Sequence, residues 1–192
     1  TNKQKYKGLV LLGDRHAEVR EFPYSEPKTG EILIQIKAAG ICGSDLHFYR
    51  NTPEELGIRR AVVIGHEPSG IVEKVGPGVS IFRPGDRIAV NHTLGCNHCE
   101  YCLAGETVLC SENVGVAAAG FGGDAEYALM PANTCFHLSQ ELSFIEGTFI
   151  ACTGATVYNA LRKLKPSGRD KLVVFGLGPV GLSAVLVGKA LG

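Results

Sequence analysis

The sequence Gly40-Ile-Cys-Gly-Ser-Asp-Leu-His47 brings a thiol, a hydroxyl, a carboxylate and an imidazole into one short stretch. It follows a segment in which Ile32, Ile34 and Ile36 recur at every second position, a pattern that predicts a half-buried strand. Cys42 is therefore expected just beyond the end of a strand, where a rigid scaffold fixes the position of its sulfur atom. This stretch is the first candidate for a functional site.

A second candidate segment, Gly65-His66-Glu67, follows the apolar run 61–64. A cysteine and a histidine that each come directly after a predicted strand, with a carboxylate beside them, indicate two ligands of an open metal site. Taken singly, Cys42 is more often a small buried hydrophobe and His66 a hydrogen-bonded core histidine. The pair and its flanking residues together favour the metal site.

The segment 65–70, Gly-His-Glu-Pro-Ser-Gly, with Gly76 and Val79 behind it, resembles the zinc signature of the medium-chain alcohol dehydrogenase family. The stretch 42–47 is similar to the first-ligand motif of that family, and the resemblance runs along nearly the whole chain. It implies a third zinc ligand at Cys152, within the segment 151–157. On this resemblance the chain is identified as a member of the family.

The ligand set that the resemblance implies has further consequences. Three protein ligands leave a fourth position for water or substrate, and bound zinc lowers the pKa of a bound water or alcohol. By resemblance, Ser44 and His47 carry the proton away from the alcohol, and their spacing suits such a relay. Asp45 matches the carboxylate that orients the histidine ligand, and Glu67 the acidic neighbour of the metal. Helix capping by Ser44 and Asp45 is the alternative, and both roles can coexist.

Two positions bear on the substrate class. Gly43 stands where several alcohol dehydrogenases carry a basic residue directed at the cofactor pyrophosphate, and in this respect the chain resembles enzymes of polyols, threonine and related secondary alcohols. Cys152, in contrast, resembles the alcohol dehydrogenases proper, because polyol dehydrogenases often use a carboxylate there. The expected substrate is therefore a primary alcohol, a secondary alcohol or a polyol.

A cysteine-rich lobe, residues 95–111, holds four closely spaced thiols: Cys96, Cys99, Cys102 and Cys110. Four thiolates suit tetrahedral Zn²⁺ in a closed site, so the lobe is predicted to bind a structural zinc, as many family members do there. Such binding can supply on the order of 10 kcal/mol of apparent folding free energy. A disulfide pair, a redox Cys-x-x-Cys motif or replacement of one thiol by His98 are the alternatives. The remaining candidates are interpreted as ordinary side chains: Cys135, His16, His92 and His137.

Composition excludes several classes of function. The chain has 192 residues, 45% hydrophobic residues and 19 basic against 19 acidic residues, so it can form a core and carries no formal net charge. We expect neither a nucleic-acid nor a membrane partner, since no basic run and no long uninterrupted apolar segment occurs. Closely spaced cysteines without a secretory leader favour metal binding in a reducing, cytoplasmic setting.

Periodicity predicts an α/β chain. Short strands at 8–12, 17–22, 31–38, 71–75 and 87–91, separated by turns rich in glycine and proline, are typical of a β barrel or sandwich. The resemblance implies a GroES-like catalytic domain over 1–152. Ser143-Phe-Ile-Glu146 has the form of a capping box that opens a helix toward Cys152, and a second helix is predicted over 156–165.

The segment 153–192 is predicted to hold a connecting helix and the first βα unit of a Rossmann domain. Residues 171–175 read as a strand, and the turn 176–181 with the sequence Gly-Leu-Gly-Pro-Val-Gly then leads into an apolar helix. A Gly-x-Gly-x-x-Gly sequence between strand and helix is typical of dinucleotide binding.

Each glycine of this turn has an expected role. Gly176 permits the turn, Gly178 lets the pyrophosphate approach, and Gly181 allows helix and strand to pack closely, with Pro179 between them. By resemblance, Thr156 and Val180 lie near the nicotinamide. The acidic residue that distinguishes NAD from NADP is expected beyond residue 192, so both cofactors remain candidates.

The sequence analysis thus predicts a zinc-dependent oxidoreductase that transfers hydride between an alcohol and NAD or NADP, with two zinc ions per chain. By resemblance it forms a homodimer or homotetramer. One strand and one helix do not complete a doubly wound domain, so we expect the chain to be the first half of a longer enzyme and inactive alone. The alternatives are a non-catalytic, zinc-stabilised fragment or regulatory relative, and a zinc-independent reductase.

Overall fold

The computed structural model describes residues 5–56 and 63–192. The predicted apolar run 61–64 therefore lies partly outside the described residues. The strands are β1 (Lys5–Gly13), β2 (His16–Pro23), β3 (Glu31–Gly40), β4 (Glu67–Val75), β5 (Arg87–Val90), β6 (Thr93–Leu94), β7 (Val114–Gly115), β8 (Tyr127–Pro131) and β9 (Cys135–His137). The helices are α1 (Asp45–Arg50), α2 (Pro53–Leu56), α3 (Glu100–Leu103), α4 (Phe144–Phe149), α5 (Ala155–Leu164) and α6 (Pro179–Ala190). All five strands predicted between residues 8 and 91 are confirmed.

The main sheet has five strands in the order β8-β3-β4-β5-β9, and each neighbouring pair is antiparallel. Two smaller sheets pair β1 with β2 and β6 with β7. One face of the main sheet builds the core, where Ile32, Ile34, Val72, Ile88 and Met130 are almost completely buried. Their spacing of two along β3 is the alternation from which the strand was predicted.

Antiparallel pairing brings three chain segments to one end of the main sheet. Gly40 at the end of β3 lies opposite Glu67 at the start of β4, and Ala89 near the end of β5 lies opposite Ser69 of β4. The residues that follow β3, those that precede β4 and those that follow β5 therefore lie together at the same end of the sheet. The segment that carries Cys42 and the segment that carries His66 meet for this reason.

Helix α4 packs across strands β3, β4 and β5 of the same sheet. Ser143 forms the predicted capping box with Glu146: its hydroxyl accepts from the Glu146 amide, and the Glu146 carboxylate accepts from the Ser143 amide. The Ser69 hydroxyl donates to the Phe144 carbonyl at 2.6 Å and ties α4 to β4. Between α4 and α5 the chain forms a π-helical turn, Ile150–Gly154.

The last part of the chain departs from one prediction. The structure assigns no strand to 171–175, whereas a strand was predicted, because the described residues offer no neighbouring strand to hydrogen-bond with it. The glycine turn and the following helix α6 are present. Gly176 has a φ of 89°, and a side chain on Gly181 would collide with the Gly176 carbonyl oxygen. The predicted domain boundary after residue 152 falls inside the continuous helical segment and stays a prediction.

Gly70 provides a test of the sheet geometry. A Cβ atom at this position would collide with the Gln35 carbonyl oxygen of β3, since backbone occupies that space. We expect Gly70→Ala to lower the free energy of unfolding by about 1–3 kcal/mol, as overpacked interiors do. Urea denaturation followed by circular dichroism measures the loss.

Gly43→Ala is the matched control, because no atom lies within 4 Å of a Cβ at that position. This control should change the stability by less than about 0.5 kcal/mol. Equal stability of the two variants would show that β3 and β4 do not approach as closely as described.

Candidate metal centre

Four side chains at this end of the main sheet have potential metal-ligand atoms that converge on a common point. The ligand atoms of Cys42, His66, Glu67 and Cys152 all lie within 4.8 Å of one another. Cys42 follows β3, His66 directly precedes β4, Glu67 is the first residue of β4, and Cys152 lies in the π-helical turn. The predicted ligands of the open site are thus brought together, and Glu67 joins them.

Two local features build this arrangement. A side chain on Gly40 would collide with the Glu67 carboxylate, so the absence of a Cβ at that position makes room for the acid. The π-helical turn widens the helix by one residue at Cys152, and such turns are frequent at functional sites. The sequence predicted Cys152 through resemblance, but not the turn that presents it.

Asp45 fixes two members of the cluster. Its side chain is buried, its Oδ2 accepts a hydrogen bond from the Cys42 amide at 2.7 Å, and its Oδ1 lies 3.3 Å from His66 Nδ1. Because Nδ1 faces Asp45, the Nε2 atom of His66 is the one left to face the two thiols and Glu67. This is the geometry by which an outer carboxylate orients a histidine ligand.

The charge distribution favours a cation at this point. The hydrogen bond with Asp45, followed by the contact with Cys152, raises the pKa of His66 to about 11. Burial opposes the ionisation of Cys42, but hydrogen bonds from Ser44 and His66 outweigh it and lower the pKa of this thiol. His66 favours the thiolate of Cys152, yet burial and Glu67 together raise the pKa of that thiol. Acidic side chains around one imidazole therefore attract positive charge.

Glu67 has a buried carboxylate oxygen that lacks a hydrogen-bond partner among the described residues. This atom, Oε1, lies 3.8 Å from His66 Nε2. A buried carboxylate oxygen without a partner costs free energy unless a cation or a donor satisfies it. The donor set of two thiols, an imidazole and a carboxylate suits Zn²⁺.

Ser44 and His47, the residues of the predicted proton relay, differ in their surroundings. Ser44 precedes α1, makes no side-chain capping bond and lines the cavity next to the cluster. The capping alternative for Ser44 is therefore wrong. His47 lies on α1 with an exposed side chain, and in the described part of the chain no hydrogen bond joins it to the Ser44 hydroxyl. The relay stays a prediction.

The four thiols of the cysteine-rich lobe also converge. The sulfur atoms of Cys96, Cys99, Cys102 and Cys110 lie within 4.8 Å of one another. Backbone amides of residues 99, 102 and 112 donate to the sulfur atoms of the preceding thiols at 3.3–3.5 Å. The amide of His98, with help from that of Cys99, lowers the pKa of Cys96 to about 6. Such bonds stabilise thiolates, which is what a metal requires.

The geometry excludes a disulfide in the cysteine-rich lobe and favours four thiols over a site that uses His98. All seven cysteines are free, so no disulfide forms. His98 is exposed, and its Nδ1 lies 2.8 Å from the Cys96 carbonyl oxygen. His98, Cys96 and Glu112 form a second, more exposed group of possible ligands, which shares only Cys96 with the four thiols. Cys135 stands apart from both thiol clusters, and burial raises its pKa to about 12.

Two residues near the site were missed by sequence reasoning. His92 was interpreted as ordinary, yet it lines the cavity beside His66 because it follows β5 as Cys42 follows β3. Asp124 was not predicted as a site residue. Both of its carboxylate oxygens are buried next to Gly65 and have no hydrogen-bond partner among the described residues. The position of His92 after a strand was a usable signal, whereas the burial of Asp124 depends on the folded chain.

The predicted cofactor residues lie on α5 and α6 and in the turn that precedes α6. Gly178 leads directly into α6, with Pro179 as its first residue, and no atom lies within 4 Å of a Cβ on Gly178. The N-terminus of α6 is thus open to an approaching group, as a pyrophosphate site requires. Thr156 lines a cavity of about 280 Å³ together with His92, and Val180 is exposed on α6.

Comparison with known proteins gives the family. Residues 28–140 match the alcohol dehydrogenase GroES-like domain. The chain is 36% identical over 95% of its length to an uncharacterised zinc-type alcohol dehydrogenase-like protein of Escherichia coli K12, and 33% identical over 96% to a probable D-xylulose reductase A of Neosartorya fischeri. The chain belongs to the zinc-containing medium-chain alcohol dehydrogenase family. Both the resemblance and the GroES-like fold are confirmed.

A solved structure agrees with this assignment. An alcohol dehydrogenase from Escherichia coli CFT073, complexed with NADH, superposes with a TM-score of 0.87 at 30% identity and covers 97% of this chain and 54% of that one. The chain spans about half the length of the curated relatives that it matches. Among the described residues, no helix has the length and apolar character needed to cross a bilayer.

Asp124 gives the site a predicted pH dependence. Burial, with the neighbouring charge of Asp45, raises the pKa of Asp124 to about 6, above its value of about 4 in an unfolded chain. The folded state therefore binds the proton more tightly, and stability is lost as the pH rises through 6. We expect Asp124→Asn to raise the free energy of unfolding by about 1–2 kcal/mol at pH 8, after allowing for partial solvation, and to have no effect near pH 4.

Urea denaturation at a series of pH values measures this difference. Glu141→Gln, which neutralises an exposed carboxylate, serves as the control and should change stability little at any pH. An Asp124→Asn protein that is less stable than the parent at pH 8 would mean that the carboxylate has a stabilising partner and is not a cost to the fold.

Proposed function

We propose that the whole protein is a zinc-dependent dehydrogenase that oxidises an alcohol, or reduces the corresponding carbonyl compound, with a nicotinamide cofactor. The observation that carries this proposal is the convergence of Cys42, His66, Glu67 and Cys152 beside a cavity. Family membership supports hydride transfer in general terms, because relatives include alcohol dehydrogenase-like proteins and reductases of ketoses.

The residues present fit the metal. In our proposal Cys42, His66 and Cys152 hold the zinc. Glu67 lies close enough to be a fourth ligand when the substrate does not occupy that position. When bound, the zinc supplies Lewis-acid chemistry that makes the hydroxyl of an alcohol more acidic. Asp45 keeps Nε2 of His66 directed at the metal by holding Nδ1 on its other side.

The chain's own residues also handle the proton. The Ser44 hydroxyl lines the cavity and contacts the Cys42 sulfur. It can therefore accept the proton of the alcohol while it donates its own hydroxyl proton to the next acceptor. His47 is the proposed next acceptor, since its exposed ring can release the proton to solvent. Transfer from Ser44 to His47 requires a bridging water or the ribose of the cofactor, because no direct bond joins the two side chains in the described residues.

When bound, a nicotinamide cofactor would supply the acceptor for the hydride (two electrons and one proton), and the alcohol, which also gives up its hydroxyl proton, would become an aldehyde or ketone. We propose that the turn 176–181 and the N-terminus of α6 hold the pyrophosphate, and that Thr156 faces the nicotinamide. The open space at Gly178 supports this placement. The structure solved with NADH makes NAD the favoured cofactor.

The cysteine-rich lobe supports the proposal without chemistry of its own. Four thiols within 4.8 Å of one another fill the coordination of a structural zinc, which would bring the total to two ions per chain. The lobe contacts the rest of the chain through Glu106, which forms ion pairs with Arg162 at 2.9 Å and Lys163 at 3.0 Å on α5. These ion pairs join the lobe to the helix that follows Cys152.

Replacement of Cys42 by serine tests the proposed activity. We expect Cys42→Ser in the whole protein to lower kcat/KM for alcohol oxidation by more than the roughly 10–100-fold that follows loss of an outer-shell partner, because a metal ligand itself is removed. The initial rate of NADH formation with a panel of alcohols measures the effect, and circular dichroism shows whether the fold is retained.

Cys135→Ser is the matched control, because Cys135 is a thiol outside both clusters. Its rate should remain within about threefold of the parent's rate. Retention of full activity by Cys42→Ser would contradict the proposal and favour a zinc-independent reductase. Absence of activity from the parent protein with either cofactor would favour a non-catalytic relative.

A further inference from the structure

The four thiols of the cysteine-rich lobe have little contact with solvent. Cys110 is only 1% exposed, and the other three thiols are partly buried. The sulfur atoms of Cys96 and Cys102 lie 4.0 Å apart. A site that four thiolates fill has no open coordination position. A metal ion that arrives with its shell of water must therefore exchange its ligands stepwise before it occupies this site.

A second group of possible ligands faces solvent next to the four thiols. The Cys96 sulfur, a ring nitrogen of His98 and a carboxylate oxygen of Glu112 lie within 4.8 Å of one another, and we call these three residues the outer group. The side chains of His98 and Glu112 are exposed, and Cys96 belongs to both groups. An ion held by the outer group would therefore already share one ligand with the four-thiol site.

His98 is held in the way that is common for histidine ligands of metals. Its Nδ1 lies 2.8 Å from the Cys96 carbonyl oxygen. Because a carbonyl oxygen accepts, Nδ1 donates, and the lone pair of the neutral ring is on Nε2. Metal-binding histidines usually donate their second ring N–H to a carbonyl or a carboxylate, which fixes the tautomer and the orientation of the ring. The bond to Cys96 therefore orients His98 before an ion arrives.

Glu112 follows directly after the lobe and is tied to its most buried thiol. The Glu112 amide donates to the Cys110 sulfur at 3.4 Å. In the part of the chain that the structure describes, the Glu112 carboxylate has neither a hydrogen bond nor an ion pair. Glu106, in contrast, is engaged by Arg162 and Lys163. The Glu112 carboxylate is therefore available to a cation.

The sequence around the lobe favours the approach of a cation. Between Arg87 and Arg162 the chain contains no lysine or arginine, and seven acidic residues lie in the same stretch. An excess of negative charge raises the local concentration of cations and the rate at which they bind. No basic side chain of this stretch competes with a metal ion for Glu112.

We propose that Cys96, His98 and Glu112 form an entry site through which zinc reaches and leaves the four-thiol site. The outer group captures the hydrated ion with one thiolate, one imidazole and one carboxylate. The three other thiols of the lobe then replace the imidazole, the carboxylate and the remaining water, while Cys96 stays bound. Each thiol that joins loses its proton to water. This role concerns the structural zinc and does not depend on the proposed dehydrogenase activity.

Stabilisation of the loaded site is the competing explanation for His98 and Glu112. The two explanations differ in the rates that they predict. An entry site speeds binding and release by the same factor, because both follow one path in opposite directions, and it leaves the affinity unchanged. A residue that stabilises the loaded site slows release and raises the affinity.

The experiment uses the whole protein with Cys42→Ser and Cys152→Ser, so that the lobe is the zinc site under observation. The rate of zinc release to a chromophoric chelator, 4-(2-pyridylazo)resorcinol, is extrapolated to zero chelator, and competition with the same chelator gives the dissociation constant. His98→Asn, Glu112→Gln and the double variant are compared with this parent. Glu100→Gln is the matched control, because Glu100 is an exposed carboxylate of the lobe outside the outer group.

We expect His98→Asn and Glu112→Gln each to slow zinc release by about tenfold, within the range by which local charge changes association rates, and the double variant to slow it further. The dissociation constant should change by less than about threefold, well below the roughly 10–100-fold loss that follows removal of a partner of a bound metal. Glu100→Gln should match the parent in both quantities.

Four results would overturn the inference. Release at the parent's rate from His98→Asn and Glu112→Gln would mean that zinc leaves by another path. Faster release with weaker binding would show that these residues stabilise the loaded site. Equal slowing by Glu100→Gln would assign the effect to the charge of the lobe rather than to the outer group. A parent whose lobe holds no zinc would remove the structural site and its entry site together, while alcohol oxidation at the Cys42 cluster is decided by its own test.

Discussion

The antiparallel pairing of β3 with β4 is the constraint on which the site depends. It places Gly40 opposite Glu67, so that the segment after one strand and the segment before the next share one edge of the sheet. A thiol and an imidazole that are far apart in the sequence then lie side by side. Any shift of register by one residue would turn the Glu67 carboxylate to the opposite face of the sheet and separate the two ligands.

Electrostatics complete what the backbone begins. Asp45 is buried and directs one oxygen to the Cys42 amide and the other to His66 Nδ1, so it fixes a ligand from each of the two segments. The carboxylate of Glu67 adds negative charge around the same imidazole, and the two thiols add more when a bound cation makes them ionise. A donor cluster of this kind is unfavourable when empty and favourable around a divalent cation, which is why assembly of the site and binding of a metal are coupled.

The sequence predicted those features that depend on local patterns. Alternation located β3, turns rich in glycine and proline delimited β5, cysteine spacing located the cysteine-rich lobe, and the capping box at Ser143 located α4. Features that depend on the third dimension were missed. His92 reaches the site because it follows β5, which pairs with β4, and the Asp124 carboxylate is buried only in the folded chain. The strand predicted at 171–175 did not form, because backbone pairing requires a partner strand.

Diffraction from crystals of the zinc-loaded protein at the zinc absorption edge tests the central claim most directly. The account predicts two anomalous peaks per chain: one among the four thiols of the cysteine-rich lobe, and one between the sulfur atoms of Cys42 and Cys152 next to His66 Nε2. A single peak in the lobe, with the sulfur of Cys42 and the ring of His66 turned away from each other, would contradict it.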